Sequence, residues 1–234
     1  MVWRSRALVA LDKPAGQPCH PLCAGEKGSL AGALLARFPE MSSVGSDPLQ
    51  PGIVHRIDTG TSGLVLAART REAFDWMKAR FSARKVKKTY LALVEGRVEK
   101  PGGVSGFLAH CDSFRGRMRV VGPQALPRGE RPMQAETFWT PVARGPGATT
   151  LLKVEIRTGV THQIRCHLAS VGHPVAGDAL YGGSPSPEAP QGGHCLHSFS
   201  AQFELPAEPG RFATVRTPLP PWAGAADGEG GFPA

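Results

Sequence analysis

The sequence has no apolar run that approaches the roughly 20 residues of a membrane-spanning helix. Its charged start is followed by only a short apolar stretch, residues 7–11, so we expect no signal peptide and a cytoplasmic protein. The five cysteines are scattered and odd in number, which favours reduced thiols over a disulfide framework. With 20% charged and 41% hydrophobic residues, a disordered polyampholyte is also excluded.

Glycine and proline are abundant, and the 29 glycines and 22 prolines exclude a long helical bundle. Strands are predicted at residues 7–11, 53–57, 64–68, 90–98, 133–143, 149–157 and 194–205. Helices are predicted at 30–38 after a capping Ser29, at 72–83 and at 161–170. Because regular helices do not separate successive strands, the pattern predicts an α+β fold. We expect a mixed, mainly antiparallel central sheet, flanked by helices and loops, with a cleft across it.

Two clusters of sulfur and nitrogen side chains raise the question of a metal site. They are Cys19, His20 and Cys23, and His194, Cys195 and His197. Neither has Cys-x-x-Cys spacing and both lie beside Gly or Pro, so we predict no metal.

The net charge of +8 is concentrated in two segments. Eight basic residues face two acidic ones between Arg69 and Lys88, and five arginines face one glutamate between Ser113 and Arg131. Such clusters are typical of a surface that follows a phosphate backbone. A solvated, charged helix face is the alternative that composition leaves open.

Asp58 lies between the apolar segment 53–57 and a turn of small residues, 59–63. A carboxylate placed there is exposed by the turn and is a candidate for catalysis. The alternative is an aspartate that accepts hydrogen bonds from its own turn. Ser62 lacks the Gly-x-Ser-x-Gly pattern, so a serine hydrolase is not expected.

His162 and Arg165 are three residues apart on the predicted helix at 161–170 and nearly share a face. An arginine anchored by apolar neighbours is suited to hold a carboxylate through two hydrogen bonds. A surface salt bridge at Arg165 and an ordinary surface histidine remain alternatives.

Five motifs in this order resemble the RluA-type family of RNA pseudouridine synthases, and the resemblance covers about Ala7 to Trp222. The motifs are Asp12–Gly16, His55–Gly63, Lys88–Val94, Gly159–His167 and Gly172–Gly182, followed by Leu196 and His197. The sequence departs from the family pattern at Thr59-Gly60, often a charged pair, and at Val160, where many members carry arginine. It starts directly at the catalytic domain, so target choice is expected to come from this domain alone.

The resemblance implies an enzyme that flips out a uridine, breaks its glycosidic bond and rejoins the uracil through carbon, without metal or other cofactor. It implies that Asp58 is the catalytic carboxylate, acting either as nucleophile or as base. Arg165 is implied as the partner that keeps Asp58 ionised, and Tyr90 as the ring that stacks on the uracil. Tyr181 is expected to be structural.

The resemblance and the charge pattern also suggest how RNA is bound. Arg56 is expected to fill the vacated base stack or hold a phosphate, with an ordinary exposed arginine as the alternative. The expected substrate-binding residues are His55, Arg56, Thr61, His162, Gln163 and Leu196, and the expected RNA-backbone contacts are Lys87, Lys88, Arg115, Arg117 and Arg119.

We expect a monomer with one catalytic domain over residues 1–222 and a flexible tail at 223–234, acting on structured ribosomal or transfer RNA. An RNA-binding relative that has lost catalysis is the alternative. The intact Asp58, Tyr90 and Arg165 argue against that alternative.

Overall fold

The structure is a computed structural model that describes residues 1–111, 116–122, 131–206 and 208–224. The chain divides into two compact units. Unit 1 comprises Met1–Lys88, Gln191–Gly193 and His197–Pro218, and unit 2 comprises Thr89–Pro190, His194–Leu196 and the residues from Leu219 onward. Within the described ranges, no helix is both long and apolar enough to cross a bilayer.

The described residues form ten strands and a few short helices. The strands are β1 (Trp3–Arg4), β2 (Leu8–Lys13), β3 (Ser62–Ala68), β4 (Lys87–Glu95), β5 (Gly102–His110), β6 (Met118–Val121), β7 (Met133–Arg144), β8 (Thr149–Ile156), β9 (Leu196–Glu204) and β10 (Phe212–Arg216). The α-helices are α1 (Leu30–Arg37), α2 (Arg71–Ser82), α3 (Gln163–Ser170) and α4 (Pro221–Gly224), and 3₁₀ helices lie at Pro39–Ser43 and Ala179–Tyr181.

Unit 1 is organised around β3, which lies between two other strands. β2 pairs with β3 in antiparallel orientation, and β1 pairs with β2 in the same way. On its other side, β3 pairs in parallel with β9, where Ser62 lies opposite His197 and Gly63 opposite Ser198. β10 pairs with β9 in antiparallel orientation. The parallel pair therefore brings the first residue of β3 beside a histidine 135 positions later.

Helix α2 covers the apolar core of unit 1. It begins after Thr70, whose hydroxyl accepts a hydrogen bond from Ala73 N over 3.3 Å, as expected for an N-cap. Phe74 and Met77 are buried in the cluster that includes strands β2 and β3, whereas Phe81 is partly buried. The spacing of apolar residues therefore identified the buried face of this helix correctly.

Unit 2 contains strands in the order β4-β8-β7-β5-β6. The pairs β7 with β8, β5 with β7 and β5 with β6 are antiparallel. Helix α3 packs on this sheet, where its Cys166 joins Leu108, Met118 and Ala135 in a buried cluster. The predicted α+β class, with mixed and mainly antiparallel strand pairing, is confirmed.

The predicted strand at 53–57 is wrong, and β1, β5, β6 and β10 were not predicted. Ile53 makes only an isolated bridge with Ala67, and residues 54–58 form no strand. The side chain of His55 explains why no strand forms here. Leu66 N of β3 donates to His55 Nε2 over 2.9 Å. An imidazole therefore takes a position that a neighbouring strand would have used. Of the expected tail, Ala223 and Gly224 belong to α4, and residues 225–234 lie outside the described residues.

Candidate active site

Asp58 lies half-buried in the connection that leads into β3. Thr61 N donates to Asp58 O over 3.0 Å and closes the predicted turn. Thr61 is itself buried, with 2% of its surface exposed. The carboxylate is therefore carried by a turn whose far end is fixed in the core of unit 1.

The peptide groups on both sides of Asp58 are held by the segment that follows β2. The carbonyl of Thr59 accepts hydrogen bonds from Gly16 N at 2.8 Å and from Lys13 Nζ at 3.1 Å. The thiol of Cys19 donates to the carbonyl of Ile57 over 3.4 Å. These contacts fix the backbone immediately before and after the carboxylate, which is how a reactive group is preorganised.

Lys13 is a residue of this site that the sequence reasoning missed. Its side chain is fully buried, and Nζ donates to Pro14 O at 2.9 Å and Gln17 O at 2.7 Å as well as to Thr59 O. All three ammonium donors are therefore satisfied by carbonyl oxygens. Burial lowers the pKa of Lys13 to about 8, although the negative charge of Asp58 opposes the change. The available signal was a lysine two residues after the apolar run 7–11, at the end of β2.

His55 supports β3 through its side chain, and its predicted contact with substrate stays a prediction. Its Nε2 accepts from Leu66 N, and its ring stacks on Phe81 with 4.8 Å between centroids. Desolvation and the positive charges of Lys88 and Lys78 lower the pKa of His55 to about 3. The ring is therefore neutral at physiological pH and supports β3.

Arg56 is exposed, and its Nη1 lies 3.0 Å from Nε2 of His20. His20 Nδ1 lies 3.0 Å from the carbonyl of Pro21, so a neutral ring donates from Nδ1 and accepts from Arg56 at Nε2. Arg56 lies on no strand, although one was predicted at residues 53–57. Its predicted contact with RNA stays a prediction.

The basic segment 69–88 is partly neutralised within unit 1. Ion pairs join Arg69 to Glu40 at 2.6 Å, Arg71 to Asp75 at 2.9 Å and Arg80 to Glu204 at 2.9 Å. Four further basic residues follow α2, namely Arg84, Lys85, Lys87 and Lys88.

The two lysines predicted to contact the RNA backbone have different surroundings. Lys87 is exposed, whereas Lys88 is partly buried, with Nζ 5.9 Å from the centroid of the Phe81 ring. Desolvation lowers the pKa of Lys88 to about 8. Lys87 is therefore the better placed of the two for a phosphate.

In unit 2, Arg165 is buried and is held by Asp178. Nε lies 2.6 Å from Asp178 Oδ2 and Nη2 lies 2.9 Å from Oδ1, which is a bidentate pair. Burial raises the pKa of Asp178, but the hydrogen bonds and charge of Arg165 outweigh this and place it below its usual value. The surface salt bridge considered for Arg165 is therefore wrong. Asp178 was not identified as its partner, and the contact between Arg165 and Asp58 stays a prediction.

Tyr181 is structural, as predicted. Its hydroxyl accepts from Met118 N over 2.8 Å and lies 3.1 Å from Nδ1 of His162. The guanidinium carbon of Arg165 lies 5.1 Å from the ring centroid, within the range of a cation–π contact. His162 precedes α3 in a left-handed conformation with a φ of 54°. Tyr181 therefore links the start of α3 to β6.

Gln163 has its side-chain amide fully engaged within unit 2. Oε1 accepts from Thr158 Oγ1 at 2.8 Å and from Val160 N at 3.1 Å. Nε2 donates to Glu136 O at 2.8 Å and to Thr137 Oγ1 at 3.1 Å. Because both donors and both acceptor positions are used, this residue holds the turn before α3, and its predicted contact with substrate stays a prediction.

The other predicted residues of unit 2 differ in exposure. Tyr90 on β4 and Leu196 on β9 are buried. Arg117 is exposed, with its guanidinium carbon 5.5 Å from the Tyr181 ring centroid, and Arg119 is partly buried on β6. Arg115 lies outside the described residues. Of the two arginines in this set that the structure describes, one is therefore exposed and one is partly buried.

The five cysteines carry free thiols. Across the part of the chain that the structure describes, no group of three or more His, Cys, Asp or Glu side chains is arranged to hold a metal ion.

Comparison with known proteins connects this geometry to a family. A family model described as RNA pseudouridylate synthase matches residues 7–170. The chain is 37% identical over 219 residues to the ribosomal large subunit pseudouridine synthase D of Nitrosomonas europaea, a match that covers 91% of this chain and 60% of that protein. It is 40% identical over 171 residues to an uncharacterized RNA pseudouridine synthase of Chloroflexus aurantiacus, covering 73% and 51%. The chain thus spans between about half and three fifths of the length of these relatives.

Solved structures show the same fold. The human RNA pseudouridylate synthase domain containing 1 is similar with a TM-score of 0.71 and 25% identity, over 94% of this chain and 82% of that one. The human RNA pseudouridylate synthase domain containing 4 has a TM-score of 0.69 at 20% identity, over 94% and 88%.

Proposed function

The chain belongs to the family of RNA pseudouridylate synthases, and on this basis we propose that it isomerises uridine to pseudouridine in RNA. The observation that carries the proposal is the fixed turn of Asp58. Its neighbouring carbonyls, on Ile57 and Thr59, are both held by hydrogen bonds from the segment after β2. A carboxylate on such a turn keeps one orientation toward a reacting sugar, and this lowers the entropic cost of the reaction.

The three proposed catalytic residues have different roles. Asp58 acts either as nucleophile on the anomeric carbon of the sugar or as base at the neighbouring carbon. Arg165 supplies a fixed positive charge that favours the ionised carboxylate, and its bidentate pair with Asp178 supports that role. Tyr90 stacks on the flipped uracil.

The names of several relatives favour ribosomal RNA over transfer RNA as the substrate, since relatives at 33–37% identity are named for the large ribosomal subunit. The basic residues that follow α2 are suited to the phosphates of either kind of RNA. Mapping of pseudouridine in total RNA from a strain that lacks this protein would identify the nucleotide.

Replacement of Asp58 tests the activity. We expect Asp58→Asn and Asp58→Ala to abolish pseudouridine formation, with fold and RNA affinity nearly unchanged, because the loss of this carboxylate has no substitute. Single-turnover assays on RNA that contains the mapped uridine measure the reaction, and filter binding measures affinity.

Asp47→Asn is the matched control. Asp47 is an exposed turn aspartate of the same unit whose Oδ1 accepts from Leu49 N at 2.9 Å, so its replacement should leave activity intact. More than a few per cent of activity in either Asp58 variant would contradict the role of Asp58. RNA binding without any reaction by the unaltered protein would favour a relative that has lost catalysis.

A further inference from the structure

His197 joins two hydroxyl groups inside unit 1. Its Nδ1 lies 2.8 Å from Ser62 Oγ, and its Nε2 lies 2.8 Å from Thr217 Oγ1. Only 3% of the residue is exposed, so bulk water does not compete for either bond. The imidazole therefore connects the first residue of β3 to the segment that follows β10.

The partners of Thr217 determine which nitrogen of His197 carries the proton. The hydroxyl of Thr217 also lies 3.1 Å from Phe199 O and 3.3 Å from Ser198 O, and a carbonyl can only accept. The hydroxyl therefore donates to a carbonyl and accepts from Nε2–H of His197. From these partners we assign an unprotonated Nδ1, which accepts the hydroxyl proton of Ser62.

A serine bonded to a histidine is also the arrangement of a nucleophile and its base. Here the far nitrogen of His197 contacts the hydroxyl of Thr217 instead of a carboxylate, so no negative charge stabilises an imidazolium. Burial lowers the pKa of His197 to about 4, which makes it a poor base at neutral pH. The bond therefore holds Ser62 in place without activating it.

Ser62 is the residue at which the turn from Asp58 joins β3. Thr61, directly before Ser62, donates its main-chain N–H to Asp58 O. We propose that His197 is a positioning residue for Asp58, because by fixing Ser62 it fixes the end of the turn that carries the carboxylate. This inference rests on the proposed function, since the position of Asp58 affects a rate only if Asp58 reacts.

Two substitutions of His197 separate its two bonds. In His197→Asn, the amide oxygen takes the place of Nδ1 and still accepts from Ser62, whereas in His197→Gln the longer amide reaches Thr217 and loses Ser62. We expect kcat for pseudouridine formation to fall on the order of 10- to 100-fold in His197→Gln, with KM nearly unchanged, because small displacements of a reacting group have effects of this size. His197→Asn should keep most of the rate.

Ser62→Ala removes the same hydrogen bond by deleting the hydroxyl of Ser62. This variant replaces His197→Gln in the test if His197→Gln does not fold. It should lower kcat as His197→Gln does, and the double variant should be no slower than either single variant, since both remove one interaction. Ser198→Ala is the control, because it removes a buried 3.1 Å bond to Leu64 O from the next residue of β9. It should leave kcat unchanged.

Hydrogen exchange at residues 58–62 provides a measurement that does not depend on activity. Exchange there should be faster in His197→Gln and Ser62→Ala than in His197→Asn or Ser198→Ala. Unchanged kcat and exchange in a folded His197→Gln variant would overturn the inference, as would an equal loss of kcat in Ser198→Ala. If the unaltered protein made no pseudouridine while exchange still followed this pattern, the proposed function would fail and the fixing of the turn would stand.

Discussion

Arg165 shows how a buried partner fixes the orientation of one side chain. Its Nε and Nη2 both bond to Asp178, so the guanidinium cannot rotate away. A lysine keeps the charge but lacks the planar fork. We expect Arg165→Lys to lower kcat at least tenfold by the loss of this geometry, and to lower the free energy of unfolding by about 1–3 kcal/mol.

Arg71→Lys is the matched control for this change. Arg71 and its partner Asp75 are both exposed on α2. Exposed ion pairs contribute less than about 1 kcal/mol to the free energy of unfolding. Urea unfolding and single-turnover assays of Arg71→Lys should show little change in stability or kcat. A wild-type kcat in Arg165→Lys would contradict a role for the planar guanidinium.

At this scale, the sequence identified candidates whose role depends on residue type and motif, namely Asp58, Tyr90 and Arg165. It did not identify Lys13 or Asp178, because their roles depend on partners brought close by the fold. It also gave no sign that the amide of Gln163 is already fully hydrogen-bonded within unit 2, since those partners lie elsewhere in the sequence.

At the scale of elements, the parallel pairing of β3 with β9 depends on Gly63. Its φ is +106°, and a Cβ there would lie 2.3 Å from Ser198 O on β9. We expect Gly63→Ala to lower the free energy of unfolding by about 2–4 kcal/mol through backbone strain and overpacking. Activity should fall as well, because the change displaces Ser62 from His197.

Gly106→Ala provides the comparison in β5, where an added Cβ meets nothing within 4 Å. Its effect on urea unfolding should stay within about 0.5 kcal/mol. Equal stability of the two variants would contradict the close approach of β3 and β9.

Helices α1 and α2 were predictable, since capping residues and apolar spacing are local signals: Ser29 caps α1 and Thr70 caps α2. Helix α4 and the two 3₁₀ helices were not predicted. The strands were less predictable. Apolar composition at 53–57 is the same for a strand and for a buried irregular segment, and only the contact of His55 with Leu66 distinguishes them. β5 begins with Gly102 and Gly103 against Trp139 and Phe138, so its pairing depends on partner rings that the local sequence does not contain.

For the whole molecule, buried histidines make stability depend on pH. Burial lowers the pKa to about 4 in His167 and His197, and desolvation with nearby lysines lowers it to about 3 in His55. The unfolded chain takes up these protons near pH 6.5, and the folded chain does so only at lower pH. The unfolded state therefore binds more protons between about pH 6.5 and 4, and the free energy of unfolding falls as the pH falls through this window.

Each of these histidines contributes at most about 1.4 kcal/mol per pH unit to the slope. Urea unfolding at pH 7, 6 and 5 measures the slope of the free energy of unfolding with pH. Replacement of His167 by Gln, in a variant that folds, should reduce the slope by about a third, since one of three such groups is gone. A free energy of unfolding that stays constant from pH 7 to 5 would contradict neutral, buried rings.

The distribution of charge predicts how the molecule binds RNA. Reversal of Arg115, Arg117 and Arg119 to Glu should lower RNA affinity tenfold or more at low salt, and binding should weaken steeply as salt increases. Filter binding across a salt series measures both effects. Reversal of Arg4, Arg211 and Arg216, which are exposed in unit 1, changes the net charge equally and should have a smaller effect. Equal losses would assign binding to net charge instead of to this segment.

The segments that form unit 1 are far apart in the chain, and this affects how the unit folds during synthesis. Residues 1–88 supply β2, β3 and the turn of Asp58, but residues 197–218, with His197 and Thr217, follow only after most of unit 2. Contacts this distant along the chain form late and slow folding. On the ribosome, the growing polypeptide would therefore carry Asp58 on an incompletely fixed turn until residues 197–218 have been translated, so the proposed reaction depends on a segment that is made after most of unit 2.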